Sequence, residues 1–228
     1  MTSSDRSATV PVVRSLPAPG EYLCGLGWDG RLLWHSDQAA GEIYALDPSD
    51  GRVERTLGCP RLRADLTCHE GLLWQVGGRP KRLLLIDPVS GADVGERPVV
   101  PASGRLCGVE AAPEGIWLGL RAPAVVQLRD TATLRVRRQF PVDGQPSGLT
   151  VHGDVVLYAD FEESLIRAVD TATGELRAAV PVEGRPVGMT WGDDLLWYGD
   201  FAARRLKALR PDDVLAGWVV PRARREWN

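Results

Sequence analysis

Two carboxylates, Asp65 and Glu110, break a pattern that the rest of the chain keeps. The sequence repeats itself, and at the repeat position of Asp65 the other copies carry Gly25, Gly108, Gly148 and Gly188. At the position of Glu110 they carry Gly27, Thr67, Thr150 and Thr190. The two positions lie two residues apart in repeat coordinates, so they share one side of a strand. From neighbouring repeats, they would meet near the mouth of whatever channel the repeats enclose. Two such carboxylates can hold a divalent cation, Ca²⁺ or Mg²⁺, through oxygen ligands. They can also divide acid and base roles if burial separates their pKa values. Asp65 and Glu110 are therefore the candidate catalytic pair. The competing reading is a solvated channel carboxylate bonded to neighbouring backbone amides.

Other residues suited to ligand binding cluster in equivalent loops. Arg61, Arg63, Arg79, Lys81, Arg82, Arg105 and Arg121 fall in or beside the loops of the second and third repeats. Asp160, Glu162, Glu163 and Asp200 come from the fourth and fifth. One cationic and one anionic flank would orient a small carboxylate or phosphate, because arginine forks match such anions. Phe161 and Phe201 follow Asp160 and Asp200 and can supply apolar walls, or pack between repeats. Asp37, Asp160 and Asp200 recur at one loop position, where they either bind a polar ligand or cap the loop with their own hydrogen bonds. Cys24 and Cys107 occupy equivalent positions and offer soft-metal or nucleophile chemistry, against which stands small-residue packing. His35 and His152 read as structural residues.

The elements that must position these residues are short and apolar. Trp34, Trp74, Trp117, Leu157 and Trp197 each close a run such as Leu32-Leu33-Trp34, at spacings of 40, 43, 40 and 40 residues. A further apolar run follows each anchor and ends in turn chemistry, as in Asp47-Pro48 with Gly51 and Asp87-Pro88 with Gly91. Each unit holds four apolar runs with β-branched and aromatic residues and no helical period. Four antiparallel strands per unit of about 40 residues make a propeller blade. The sequence predicts an all-β, five-bladed propeller, six blades being the alternative count, in a single domain over 1–228. The repeats run about 24–60, 64–98, 107–141, 147–181 and 187–221. Residues 1–22 are an N-terminal arm or closing strand. Two segments compete for the outer position of the last blade: Thr9–Leu16 and Val214–Val220.

Gly-Gln-Pro-Ser-Gly-Leu-Thr at 144–150 and Gly-Arg-Pro-Val-Gly-Met-Thr at 184–190 each lead to an apolar strand and Tyr-x-Asp. These phrases resemble the propeller repeats of virginiamycin B lyase, NHL-repeat proteins and the gluconolactonase-like family, over roughly residues 22 to 221. The resemblance implies a propeller that is a lyase, a lactone hydrolase or a binding scaffold. Five blades also match the bacterial glutaminyl cyclotransferases, although no motif for their catalytic residues is present. No family site residue carries over.

Composition narrows the partners. The formal net charge is −3, so no global positive field points to nucleic acid or an anionic membrane. The four cysteines, Cys24, Cys59, Cys68 and Cys107, form no CxxC pair. Without an apolar leader or spanning segment, the expectation is a cytoplasmic protein with reduced thiols. No nucleotide or redox cofactor motif is visible. The sequence points to a small polar, anionic metabolite bound at the channel mouth, with lyase, hydrolase or isomerase chemistry. The alternative is a non-catalytic protein-interaction scaffold whose N-terminal strand reaches a partner.

Overall fold

In the computed structural model, which describes residues 9–99 and 105–215, strands form wherever the apolar runs lie, and five four-stranded antiparallel sheets result. The first blade is β2 (Leu23–Trp28), β3 (Leu33–Asp37), β4 (Glu42–Leu46) and β5 (Val53–Gly58), after an earlier strand β1 (Val12–Pro17). The second is β6 (Leu62–His69), β7 (Leu72–Gly77), β8 (Arg82–Ile86) and β9 (Asp93–Pro98). The third is β10 (Arg105–Ala112), β11 (Gly115–Arg121), β12 (Val125–Arg129) and β13 (Val136–Pro141). The fourth is β14 (Pro146–His152), β15 (Val155–Asp160), β16 (Leu165–Asp170) and β17 (Leu176–Pro181). The fifth contributes β18 (Pro186–Gly192), β19 (Leu195–Asp200) and β20 (Arg205–Leu209). The chain is a five-bladed β-propeller.

The last blade takes its outer strand from the N-terminus. β1 pairs antiparallel with β20, from Val12 opposite Leu209 to Pro17 opposite Arg205. Arg205 fixes this junction by donating to the hydroxyl and the carbonyl of Ser15. The Val214–Val220 segment does not fill that place in its described part. Pro211–Leu215 is instead a short helix, α1, started by Pro211 and two acidic residues, with Val214 buried. Residues 216–220 lie outside the described residues. The N-terminal segment is thus spent closing the ring, which removes the feature that favoured strand pairing with a partner.

The core is divided into five seams, one between each pair of adjacent blades. Trp34, Trp74, Trp117, Leu157 and Trp197 each belong to a different seam, which explains their spacing. Trp34 and Trp117 donate their indole N–H to carboxylates, Asp29 at 2.7 Å and Glu114 at 2.8 Å. Trp197 donates to the Gly192 carbonyl at 3.0 Å. The outer hairpins are held by Asp47, Asp87, Asp130 and Asp170, whose Oδ1 atoms accept backbone N–H groups two residues on.

The inner strands β2, β6, β10, β14 and β18 surround the axis. Each has a register shift at the repeat glycine or its equivalent, and such bulges turn backbone groups out of the ladder. A Cβ at Gly188 would stand 2.5 Å from the Gly25 Cα, and one at Gly25 would stand 2.7 Å from the Asp65 Cα. Glycine is needed there because neighbouring backbones touch.

Candidate functional site

Asp65 is the one repeat position where a side chain projects into this crowded ring. It is fully buried. Its Oδ1 accepts the N–H of Leu26 at 3.2 Å, and its Oδ2 accepts those of Val109 and Leu149 at 3.3 Å each. The second blade therefore supplies the acceptor for amides freed by bulges in the first, third and fourth. Burial pushes the Asp65 carboxyl well above the usual range, with the Glu110 carboxyl adding to it and the three N–H donors opposing.

Glu110 lies one step further along the channel, between two hydroxyls. Thr67 Oγ1 donates to its Oε2 at 2.9 Å and Thr150 Oγ1 to its Oε1 at 3.2 Å. Burial raises its pKa to about 8, against both hydroxyl bonds. The expected place of the pair near the channel mouth needs correction: neither residue lines the cavity at that mouth. Their oxygens meet backbone amides and threonines of the inner strands. Among the described residues, no three His, Cys, Asp or Glu side chains converge as a metal site would require.

A cavity of about 610 Å³ opens where the chain enters the inner strands. Arg63, Arg79, Lys81, Arg105 and Arg121 line one side, and Tyr22, Phe161, Val187 and Phe201 the other. Cys24 and Cys107 also line it, while no Asp or Glu does. None of the five cations has a carboxylate partner among the described residues. Arg121 Nε donates to the Pro146 carbonyl at 2.6 Å, and Lys81 Nζ to the Leu106 carbonyl at 2.6 Å. The Arg63 guanidinium leans on the carbonyls of Pro60 and Leu62. Arg79 and Arg105 make no such bond to described residues. The aromatic side is itself ordered: Tyr22 meets Phe201 edge-on at 4.9 Å between ring centres, and Phe201 meets Phe161 at 5.8 Å. Both phenylalanines thus serve the wall and pack between blades.

Arg61 lies elsewhere, ion-paired with Asp93 at 3.1 Å and with Glu96. Asp37, Asp160 and Asp200 also stand outside the lining, because each clamps the loop that enters an inner strand. Asp37 accepts the N–H of Tyr22 at 2.6 Å and of Ala40 at 2.8 Å. Asp160 accepts that of Gln145 and pairs with Arg167 at 2.8 Å. Asp200 accepts those of Arg185, Ala202 and Ala203 and pairs with Lys207 at 2.9 Å. Glu162 pairs instead with Arg185 at 3.8 Å, and no carboxylate of the expected anionic flank lines the cavity, whose sides are cationic and aromatic.

Burial drives the Cys24 thiol up to about 12 and raises that of Cys107, so both are protonated. Small packing residues fit this better than nucleophiles. His35 is buried with Nε2 at 2.9 Å from the Pro19 carbonyl, and burial lowers its pKa. Lys81 is the lining residue that sequence reading passed over, noted only as one more charge. The available signal was its rarity: it and Lys207 are the two lysines among 27 basic residues.

This ring of blades also occurs in solved structures. The chain shares its fold with propeller enzymes. It superposes on the Myxococcus xanthus glutaminyl cyclase with a TM-score of 0.72 and 15% identity, over 88% of this chain and 95% of that one. A luciferin-regenerating enzyme matches with a TM-score of 0.60 and 14% identity, over 86% of this chain and 95% of that one. Streptogramin B lyase matches with a TM-score of 0.51 and 20% identity, over 87% of this chain and 69% of that one. The resemblance to virginiamycin B lyase is therefore one of fold. No family model and no curated protein matches the sequence. Among the described residues no helix is long and apolar enough to cross a membrane.

Proposed function

We propose that the cavity binds a small organic anion, a carboxylate or phosphate ester with an apolar portion, and that the protein is an enzyme acting on it. The observation that carries this reading is the convergence of Arg63, Arg79, Lys81, Arg105 and Arg121 without a carboxylate among the lining residues. Cations held together this way repel one another, and an anionic ligand relieves that repulsion. The Tyr22, Phe161 and Phe201 side gives the apolar portion a surface. Lyase, hydrolase or isomerase chemistry is in keeping with the three solved neighbours, each of which carries an enzyme's name. Asp65 and Glu110 belong, in this reading, to the inner ring and not to the reaction.

The test is a calorimetric and thermal-shift survey of small carboxylates and phosphate esters. The expected result is a raised melting temperature with at least one arylated anion. The double variant R79A/R105A should weaken its affinity by about tenfold or more, at about 1.4 kcal/mol per decade. Anion binding that ignores both substitutions would sink the assignment.

A further inference from the structure

Arginine is nearly the only cation this chain uses, so its two lysines stand out. Lys207 is committed within the fifth blade, its Nζ lying 2.9 Å from both Asp200 and Glu183. Among the described residues Lys81 has no such partner. It reaches from the loop before β8 to the inner strand of the next blade, where its Nζ donates to the Leu106 carbonyl. It lines the cavity beside Arg105, Arg121, Cys24 and Cys107. A guanidinium stays charged at any ordinary pH and cannot attack a carbon, whereas an ammonium becomes a nucleophile once it loses a proton. A neutral amine donating one N–H to Leu106 keeps its lone pair available on another side.

We propose that Lys81 is an amine nucleophile that forms a Schiff base with the carbonyl of an aryl-substituted 2-oxo acid held in this cavity. The proposal rests on the anion-binding reading and names the ligand class for the same site. A 2-oxo acid sets its electrophilic carbon next to a carboxylate, so arginines that hold the carboxylate bring the carbonyl to Lys81. The aryl group then takes the side formed by Tyr22, Phe161 and Phe201. The Nζ lone pair adds to the carbonyl carbon, forming a C–N bond while the C=O π pair moves to oxygen, which takes up a proton. The carbinolamine then loses water to give the iminium, and no oxidant or reductant is consumed. The burial of Lys81 favours the attacking form. Burial, the largest cause, lowers its pKa; Arg105 and Arg121 lower it further, and Cys107 and Cys24 oppose them. Both thiols are protonated by their own burial, which limits that opposition.

The experiment treats the full chain with phenylpyruvate and then sodium borohydride, which delivers hydride to the imine carbon and fixes it as a secondary amine. Intact mass and peptide mapping should show a single reduced adduct on Lys81. K81R should give none. Adduct yield should rise with pH and begin to do so below the range in which an ordinary lysine deprotonates. An adduct confined to Lys207 or the N-terminal amine, or no adduct at all, overturns the proposal. A calorimetric titration with 3-phenyllactate, which has the carboxylate and ring but no ketone, separates the two ideas. If phenyllactate binds and phenylpyruvate is never trapped, the nucleophile is wrong and the anion site stands. If neither binds, the Schiff-base proposal falls, and the anion reading stands or falls with the survey of other carboxylates and phosphate esters.

Discussion

A carboxyl group on the axis of the ring does structural work that no glycine could do. Three amides point at Asp65 from three other blades, and removing the acceptor leaves them buried and unpaired. D65A is therefore expected to cost on the order of 3 kcal/mol or more in urea unfolding. An unchanged midpoint would contradict the assignment. Glu110 makes a different prediction, about pH. Its pKa is raised from 4.5 to about 8 in the folded chain, so between those values the native state holds a proton the unfolded state has lost. Stability from this group is then fully present below about 4.5, lost as pH rises towards 8, and flat beyond. The whole fall is on the order of 3 kcal/mol once partial solvent contact is allowed for. E110Q, whose amide oxygen still accepts from one threonine while its NH2 donates to the other, should flatten the slope of melting temperature between pH 5 and 8. A residual slope of the same sign is expected from Asp65. Wild-type and E110Q curves that run parallel would refute this origin.

At the scale of elements, the blades were readable because each seam needs a large apolar residue at one register, and that need prints a period of about 40 residues. Trp34 and Trp197 show it without any coordinates. Closure was not readable from spacing, since Thr9–Leu16 and Val214–Val220 are both apolar and well placed. Contacts between distant parts of the chain decide it, through the β1–β20 ladder and the Arg205 bonds to Ser15. Bonding of Asp65 to backbone amides was one of its two readings, but its full burial and the convergence of donors from three other blades were hidden for the same reason. The loop aspartates show the reverse, because Asp37 and Asp200 bond mostly to nearby turns, where local chemistry predicts a clamp. If β1 completes the fifth blade, its buried Leu16 should matter. L16A should cost about 2–4 kcal/mol in the same urea assay. Deleting residues 9–17 should leave β20 as a raw edge and abolish cooperative unfolding, with a synthetic peptide of that sequence restoring it. Unimpaired cooperativity in the deletion would show that another segment closes the ring.

For the molecule as a whole, charge distribution matters more than total charge. A chain of net charge −3 repels anions at long range, yet one end of its channel carries five cations with no lining carboxylate. Asp37, Asp160 and Asp200, in the loops at that end, are turned into loop clamps, and two of them are neutralised by Arg167 and Lys207. An approaching anion therefore meets an attractive field within about a Debye length, roughly 10 Å at 0.1 M salt, while the rest of the surface disfavours contact. Such a local field should make association depend on ionic strength and orientation should follow from the opposed aromatic side. Affinity for an arylated carboxylate is expected to fall several-fold between about 50 and 500 mM NaCl, mainly through a slower on-rate in stopped-flow fluorescence. In R79A/R105A the same salt increase should have clearly less effect, since the unpartnered arginines that make the field are gone. Equal salt dependence in both proteins would mean that the cationic side of the cavity does not draw the ligand in.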